Sequence, residues 1–337
     1  MRDRWSHLPG LGRLQRLLGP SQWQALLFCV LIAACSQIPG WSFLLFPELA
    51  ALSTTVLREP AGPWASRPGQ LIVLPVVTGC CGVWITRSIA DPGVAVLVAV
   101  AAAALVLRLA RSALVPAISA AALPAILQIR SWAYPAQIGI GLVALVGVLR
   151  LLRRGRDRSV ADSPAGLIWS DVQPAKTPLG RWSDLLRWFM LLVLLHLIAR
   201  ITGLRDLLVP PLIVMAYEAL VAPSHCDWVG RAWILPLVCG VAALAGVLAA
   251  WLLPWPALAA ALSLTLCLVL LNRCRLRLPP LLALGLLPLV MPAPDLRLVP
   301  AVMLAAVLVV LSRRLPGSAE RMPPPQAAVP GRSRGHR

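Results

Sequence analysis

The sequence predicts an all-α, polytopic integral membrane bundle that is built from two parallel repeats of about six hydrophobic segments each. Three observations predict it: the composition, the series of apolar segments, and a match between the two halves. Of the 337 residues, 59% are hydrophobic and only 13% are charged, whereas a soluble domain carries about 25% charged residues. A soluble fold of this size needs more polar surface than this chain can supply, so lipid must cover part of it.

Apolar segments occur in two sets of six. The first set lies near 24–40, 43–57, 69–87, 93–107, 112–128 and 135–150, and the second near 187–200, 207–222, 232–253, 256–271, 278–292 and 298–312. The segments are continuously apolar, which favours helices, since membrane strands alternate apolar and polar side chains. Several are shorter than the roughly 20 residues that a membrane-spanning helix needs.

Prolines interrupt many of these segments. An interior proline removes a backbone hydrogen bond, so we expect kinked or broken helices. The prolines are Pro47, Pro75, Pro116, Pro124, Pro210, Pro211, Pro236, Pro280 and Pro288.

The two sets of segments match each other. The matched pairs are Pro47 and Pro210, Pro60 and Pro223, Pro75 and Pro236, Gly79 and Gly240, Arg111 and Arg275, Pro116 and Pro280, and Pro124 and Pro288. The offset between partners is 163 residues at Pro47, 161 at Pro75 and 164 at Arg111. Chance matches between prolines would not keep so constant an offset, so the sequence predicts an internal duplication.

Polar stretches divide the chain into five parts. We predict a cytoplasmic N-terminal segment at 1–22, a first membrane repeat at 23–150, a cytoplasmic polar linker at 151–186 and a second membrane repeat at 187–314. We also predict a short interfacial helix within the linker, around Leu167–Trp169. The tail at 315–337 is rich in Pro, Gly and Arg, a composition typical of disorder.

The basic residues predict the orientation. They lie in short runs between apolar segments, which is the pattern of the positive-inside rule and argues against nucleic acid as a partner despite a net charge of +18. If each half has six spans, most of the basic residues face the cytoplasm, together with both termini. If the second and fifth segments of each half instead enter the membrane and return to the same side, four spans remain per half and fewer basic residues face the cytoplasm. Either even number makes the halves parallel, in the inner membrane of a bacterial cell.

Each half resembles the HPP transmembrane family. FPELAALSTTVLREPAGPWASRPGQLIVLPVVTGCCGV resembles its early block, and LRLARSALVPAISAAALPAI resembles its signature block, in which His-Pro-Pro precedes a helix of small residues. The resemblance covers most of 40–150 and 203–312. The histidine is absent from both copies, which read Leu114-Val115-Pro116 and Leu278-Pro279-Pro280. The resemblance implies nitrite transport, and the four spans of some members keep that topology open.

The sequence contains no catalytic constellation and predicts neither a metal nor a cofactor. His225, Cys226 and Asp227 are adjacent in a loop, and three adjacent residues do not converge on a metal without further ligands. His196 lies within an apolar segment. Two interpretations stay open: a neutral histidine bonded to a neighbouring carbonyl, or a proton or substrate site, since ionisable residues in lipid usually face a bundle interior.

Two acidic residues lie within apolar segments. Glu48 is expected near the outer end, where water reaches it, and Glu218 near the inner end, where snorkelling or pairing with Arg231 would hold it. We expect neither to form a proton relay.

The candidate substrate site is the pair Arg111 and Arg275, with the prolines Pro116 and Pro280 that follow them. Guanidinium groups pair well with planar oxyanions, so two arginines at the repeat interface would suit an anion. The alternative is that both are ordinary positive-inside arginines at helix ends.

These observations predict a transporter or channel-like carrier of a small solute, with an anion such as nitrite as the candidate. The alternative is a non-transporting membrane scaffold or an assembly partner of a larger complex, supported by the scarcity of polar residues in the segments. A membrane enzyme is disfavoured because no His/Asp/Glu cluster is present. The expected partners are the lipid bilayer, a small anion, and either a second copy of the chain or another membrane protein.

Overall fold

The computed structural model of the protein describes residues 18–161, 181–222 and 227–314. This part of the chain forms twelve α-helices and no β-strand, so the predicted all-α class is confirmed. In chain order the helices are α1 (Pro20–Cys35), α2 (Glu48–Arg58), α3 (Pro68–Ser88), α4 (Pro92–Leu109), α5 (Pro116–Leu127), α6 (Ala133–Ala161), α7 (Trp182–Thr202), α8 (Pro210–Leu220), α9 (Leu235–Leu252), α10 (Pro256–Cys274), α11 (Pro280–Val290) and α12 (Leu298–Ser312). Short 3₁₀ helices lie at Ser42–Leu44, Arg205–Leu208 and Asp227–Ile234.

Six segments of this described part are long and apolar enough to cross a membrane. They are α3, α4, the Ala133–Arg154 part of α6, α7, Gly230–Leu252 and α10. Large apolar side chains such as Trp84, Leu109 and Ile201 are exposed on the outside of these helices, as expected of a surface that lipid covers. The chain is therefore a multi-pass membrane protein.

Loop contacts in the first half define one end of the molecule, here called the linker end. Arg153, near the end of α6, donates hydrogen bonds to the carbonyls of Pro60 and Ala65 in the α2–α3 loop. The indole of Trp64 in the same loop donates to the carbonyl of Ala113 in the α4–α5 loop, at 3.2 Å. The α2–α3 loop, the α4–α5 loop and the later part of α6 therefore lie together at this end.

The other loops of the first half lie together at the opposite end of the molecule, here called the far end. Gln137, near the start of α6, donates to the carbonyl of Gly40 in the α1–α2 loop at 2.6 Å. Arg87 at the end of α3 donates to the carbonyl of Arg130 in the α5–α6 loop at 3.4 Å. Both α2 and α5 therefore run from one end to the other, which favours six crossings per half over re-entrant segments.

Contacts between the halves show the direction of α7. Trp182 at its start lies under the guanidinium of Arg108 at the linker end, 4.0 Å from the ring centre. Arg200, near its last residue, forms an ion pair with Asp91 at the far end, at 2.7 Å. Helix α7 therefore runs in the same direction as α1, as parallel halves require.

Four short helices form the centre of the molecule. Helices α2, α5, α8 and α11 have 11 or 12 residues each, and most of these are buried. Helix α2 packs against α11 and α5 against α8, so these contacts join the two halves. Eleven residues rise about 17 Å, roughly half of a 30 Å hydrocarbon core, so none of these helices is long enough to cross a membrane by itself.

Prolines start these short helices. Pro116, Pro210 and Pro280 are the first residues of α5, α8 and α11, where a missing N–H has no partner to lose. By contrast, Pro75 and Pro124 lie inside helices that continue past them. The predicted breaks therefore occur in front of the short helices.

Equivalent helices make equivalent contacts in the two halves. Helix α3 packs against α5 as α9 packs against α11, and α3 against α6 as α9 against α12. The backbone of α3 at Gly82 touches the backbone of α5 at Ala121, and Gly246 touches Gly285 in the same way. Both partners are displaced by the same 164 residues that separate Arg111 from Arg275.

A second contact follows the same offset. Val76 touches Gly139 between α3 and α6, and Gly240 touches Met303 between α9 and α12, with the large and small residues exchanged. These contacts align Gly240 with Val76, which differs from the Gly79 partner that the proline matches indicate. They support the duplication, which itself stays a prediction.

Helices extend into the predicted linker from both sides. Helix α6 continues to Ala161 and α7 begins at Trp182, because the helical hydrogen bonds do not stop where the apolar side chains stop. The predicted interfacial helix at Leu167–Trp169, both termini, and His225 with Cys226 lie outside the described residues.

Candidate functional site

Arg111 and Arg275 end α4 and α10 in the same way. Each has a left-handed backbone, with φ of 48° and 52°. The N–H of Arg111 bonds to the carbonyl of Arg108, and the N–H of Ser112 to that of Leu107; the bonds that follow α10 are equivalent. This is the Schellman arrangement, in which glycine is the usual residue because it carries no steric penalty there.

Both arginine side chains are exposed at these caps. Neither guanidinium has a hydrogen bond or ion pair within the described ranges, and the positive charge suits a helix C-terminus. Pro116 and Pro280 are buried at the starts of α5 and α11. The central core therefore encloses the two predicted prolines and leaves the two predicted arginines at its outside.

His196 lies at the contact between α7 and α4. Its imidazole touches Gly93 in the first turn of α4, where a side chain larger than hydrogen would collide with the ring. No carbonyl of the described chain accepts a hydrogen bond from it, so the expected carbonyl partner is not seen there. The histidine is half-buried near the ion pair of Asp91 with Arg200, outside the central core.

Asp91 caps α4 at the far end. Its carboxylate accepts a hydrogen bond from the backbone N–H of Val94 at 3.0 Å and from Arg200 at 2.7 Å. These contacts, the backbone N–H of Val94 first among them, lower the pKa of Asp91. The cap therefore contains a fixed negative charge that joins the two halves.

A cavity of about 540 Å³ opens at the far end between the halves, and we call it the vestibule. Its wall comprises Ser36, Gln37, Ser42, Phe43, Leu45, Phe46, Leu123, Leu127, Gln128, Ile129, Arg130, Ser131, Tyr134, Pro256, Leu289, Val290 and Pro292. A cavity of this volume is large enough for a small solute with its hydration water.

Three aromatic rings form one side of the vestibule. Phe43 and Phe46 meet the ring of Tyr134 edge to face, with centroid distances of 5.9 and 6.5 Å. The hydroxyl of Tyr134 donates to the carbonyl of Ala120 at 3.0 Å. That carbonyl is the one that Pro124 leaves without its helical partner, because proline has no N–H.

Glu48 lies behind these rings as the first residue of α2. Its side chain is 2% exposed, and no described group completes a hydrogen bond to either carboxylate oxygen. The hydroxyl of Ser119 on α5 lies beside the carboxyl group, yet it too has no partner that meets hydrogen-bond geometry. Tyr134 interacts electrostatically with the same carboxyl.

An ionised carboxylate without partners is unstable in an apolar interior. The sequence predicts Glu48 near the outer end of its segment, where water reaches it, and the structure instead buries it. The available signal was an acidic residue directly after Pro47, at the start of an otherwise apolar segment.

Glu218 on α8 differs from Glu48. It is only half-buried, lies beside the indole of Trp228, and has a polar interaction of its own. Arg231, its predicted partner, donates to the carbonyl of Cys274 at 3.4 Å. Among the residues with assigned positions, no group of three or more His, Cys, Asp or Glu could hold a metal ion.

A smaller cavity of about 280 Å³ lies at the linker end. Its wall includes Leu57, in the last turn of α2, together with Pro60 and Arg153. Phe46, just before α2, lies in the wall of the vestibule. The two cavities are therefore at opposite ends of the same short helix, with Glu48 between them.

No protein-family model, curated protein or solved structure matches this chain. The resemblance to the HPP transmembrane family therefore stays a prediction.

Proposed function

We propose that the protein carries a small solute across the membrane along α2. The observation that supports this proposal is the pair of cavities at the two ends of that helix. Since α2 has 11 residues, a solute that leaves one cavity has only about 17 Å to cross before the other. Shortened helices at the middle of a bundle are typical of transporter binding sites.

The first solute to test is a small anion such as nitrite, the class that the HPP resemblance implies. The linker end presents exposed arginines, including Arg111 and Arg275, and basic groups at a pore mouth raise the local anion concentration. The vestibule wall contributes one arginine, Arg130, and no acidic residue.

We also propose that the linker end faces the cytoplasm of a bacterial inner membrane, with both termini on that side. The distribution of arginines supports this orientation. Alkaline phosphatase fused after Arg158 or Arg314 should be inactive, because the enzyme needs the periplasm. Activity at either position would reverse the assignment.

Flux into proteoliposomes tests the proposed function. In a variant without native cysteines, Ser42→Cys places a thiol on the vestibule wall, and Ser88→Cys places one on the exposed end of α3 as a matched control. A bulky thiol reagent should stop nitrite uptake through the first variant and leave the second unchanged. Equal uptake through both modified variants would contradict a path through the vestibule.

The second candidate is a non-transporting scaffold or assembly partner. It is favoured by the closed apolar core between the cavities, where Leu49 and Leu52 of α2 are almost completely buried. This candidate predicts no flux of any anion in the wild type, together with copurification of a second copy or of another membrane protein in defined stoichiometry.

A further inference from the structure

A buried carboxyl group, that of Glu48, lies behind the aromatic wall of the vestibule and next to Phe46 of that wall in the chain. The carboxyl group of Glu48 accepts no hydrogen bond from a described group, so it forms no ion pair and caps no neighbouring helix there. The other acid in a central short helix, Glu218, has a polar interaction. Glu48 therefore needs a ligand that neutralises it.

We infer that Glu48, with Ser119 beside it, is a proton-binding site that exchanges with the vestibule. A hydronium ion in the vestibule gives its proton to one carboxylate oxygen, which forms an O–H bond and leaves a water molecule behind. The protonated group is then both a donor and an acceptor, and the Ser119 hydroxyl is adjacent to complete a hydrogen bond with it.

The surroundings favour a proton over a metal cation. A hard cation requires several converging oxygens, whereas the side-chain oxygens that interact with Glu48 are the Ser119 hydroxyl and the Tyr134 phenol, and the phenol already donates to Ala120. A proton needs one oxygen. It also leaves no net charge in the apolar core, which is the arrangement that burial requires.

Few other ionisable groups face this site. Helices α5 and α11, which pack on α2, carry no ionisable side chain, and α1 carries only the thiols of Cys29 and Cys35. Helix α6 contributes Tyr134 beside the site, and its remaining ionisable residues lie toward its other end. Arg130 is at the vestibule wall and is exposed. Glu48 is therefore the acid in position to take a proton from the vestibule.

Proton binding at Glu48 does not depend on the proposed function. The idea that this proton drives solute uptake as the coupling ion rests on that function. The neutral acid would let an anion pass a site that the carboxylate would repel. An inwardly directed proton gradient should therefore accelerate anion uptake by the wild type.

Infrared spectroscopy of the full chain in lipid nanodiscs tests the site. Difference spectra between low and high pH contain the carbonyl bands of all carboxyl groups that are protonated at low pH, and we expect one of these bands to belong to Glu48. Glu48→Gln, which imitates the neutral acid in size and hydrogen bonding, should lack that band, whereas the control Glu218→Gln should keep it. Ser119→Ala should shift the band because the neighbouring hydroxyl is lost.

Three results would overturn the inference: spectra of the wild type and Glu48→Gln that coincide at every pH, a band that does not respond to pH, or a band that sodium removes at constant pH. The last result would assign a sodium site instead. Anion flux without the band would retain the transporter and reject the proton site. The band without anion flux would retain the proton site and reject the transporter.

Discussion

Replacing Gly82 by alanine should destabilise the protein by forcing α3 away from α5. A Cβ atom at Gly82 would lie 2.9 Å from both the carbonyl carbon and the Cα of Ala121, and still closer to its carbonyl oxygen. These are backbone atoms of a buried helix, so no side-chain rotation can relieve the contact. Overpacking costs about 1–3 kcal/mol, and alanine regains about 0.5–1 kcal/mol of helix propensity. We expect a net loss of about 1–2 kcal/mol.

Gly147→Ala is the matched control. Gly147 also lies inside a long helix, α6, but a Cβ atom added there would have no atom within 4 Å beyond the helix's own backbone and the two neighbouring residues. Only the propensity gain of about 0.5–1 kcal/mol remains. Thermal unfolding in one detergent should therefore rank the midpoints as Gly82→Ala, wild type, Gly147→Ala, from lowest to highest. A Gly82→Ala midpoint at or above that of Gly147→Ala would refute the reasoning.

Three further predictions concern polar contacts. Tyr134→Phe removes the hydrogen bond to a carbonyl that proline leaves unpaired and should cost about 1 kcal/mol in thermal unfolding, whereas Tyr217→Phe, whose hydroxyl has no hydrogen bond in the described structure, should cost less. The pKa of Asp91 is lowered in the folded state, so its stabilising effect is present above the ordinary carboxyl pKa and is lost as pH falls; Asp91→Asn should flatten that part of the stability–pH curve, by a small amount because the pair is exposed. If Arg111 and Arg275 form an anion site, Arg111→Ala and Arg275→Ala abolish nitrite flux at normal expression, and unchanged flux would assign both arginines to helix capping.

Arg111 and Arg275 show how much about a candidate site could be predicted from the match between the two halves. Their pairing across the halves was readable from the sequence, and the structure gives both the same left-handed cap. What the pairing could not show was the reason for it. A repeated residue can preserve a backbone conformation as readily as a binding group, and a left-handed arginine leaves no sign in a hydrophobic pattern.

Glu48 is a residue whose surroundings could not be predicted from the sequence. Its neighbours in the chain suggested a carboxyl near the membrane surface, within reach of water. The structure buries it because α2 packs against α11 from the other half and against α5, and residues far away in sequence close the space around it. Burial of a single side chain depends on which helices meet, and a linear pattern does not contain that information.

The sequence by itself determined the helical class, the membrane environment and the approximate limits of the twelve segments. These follow from the sum of many apolar side chains, each of which favours lipid independently of its neighbours. Only the tertiary structure decided that four short helices occupy the centre, that two cavities lie at the ends of α2, and that one acid between them has no partner. Those features arise from contacts between helices that are far apart in the sequence, such as α2 with α11 and α5 with α8, and such contacts depend on the shapes of surfaces that form only when the helices pack together.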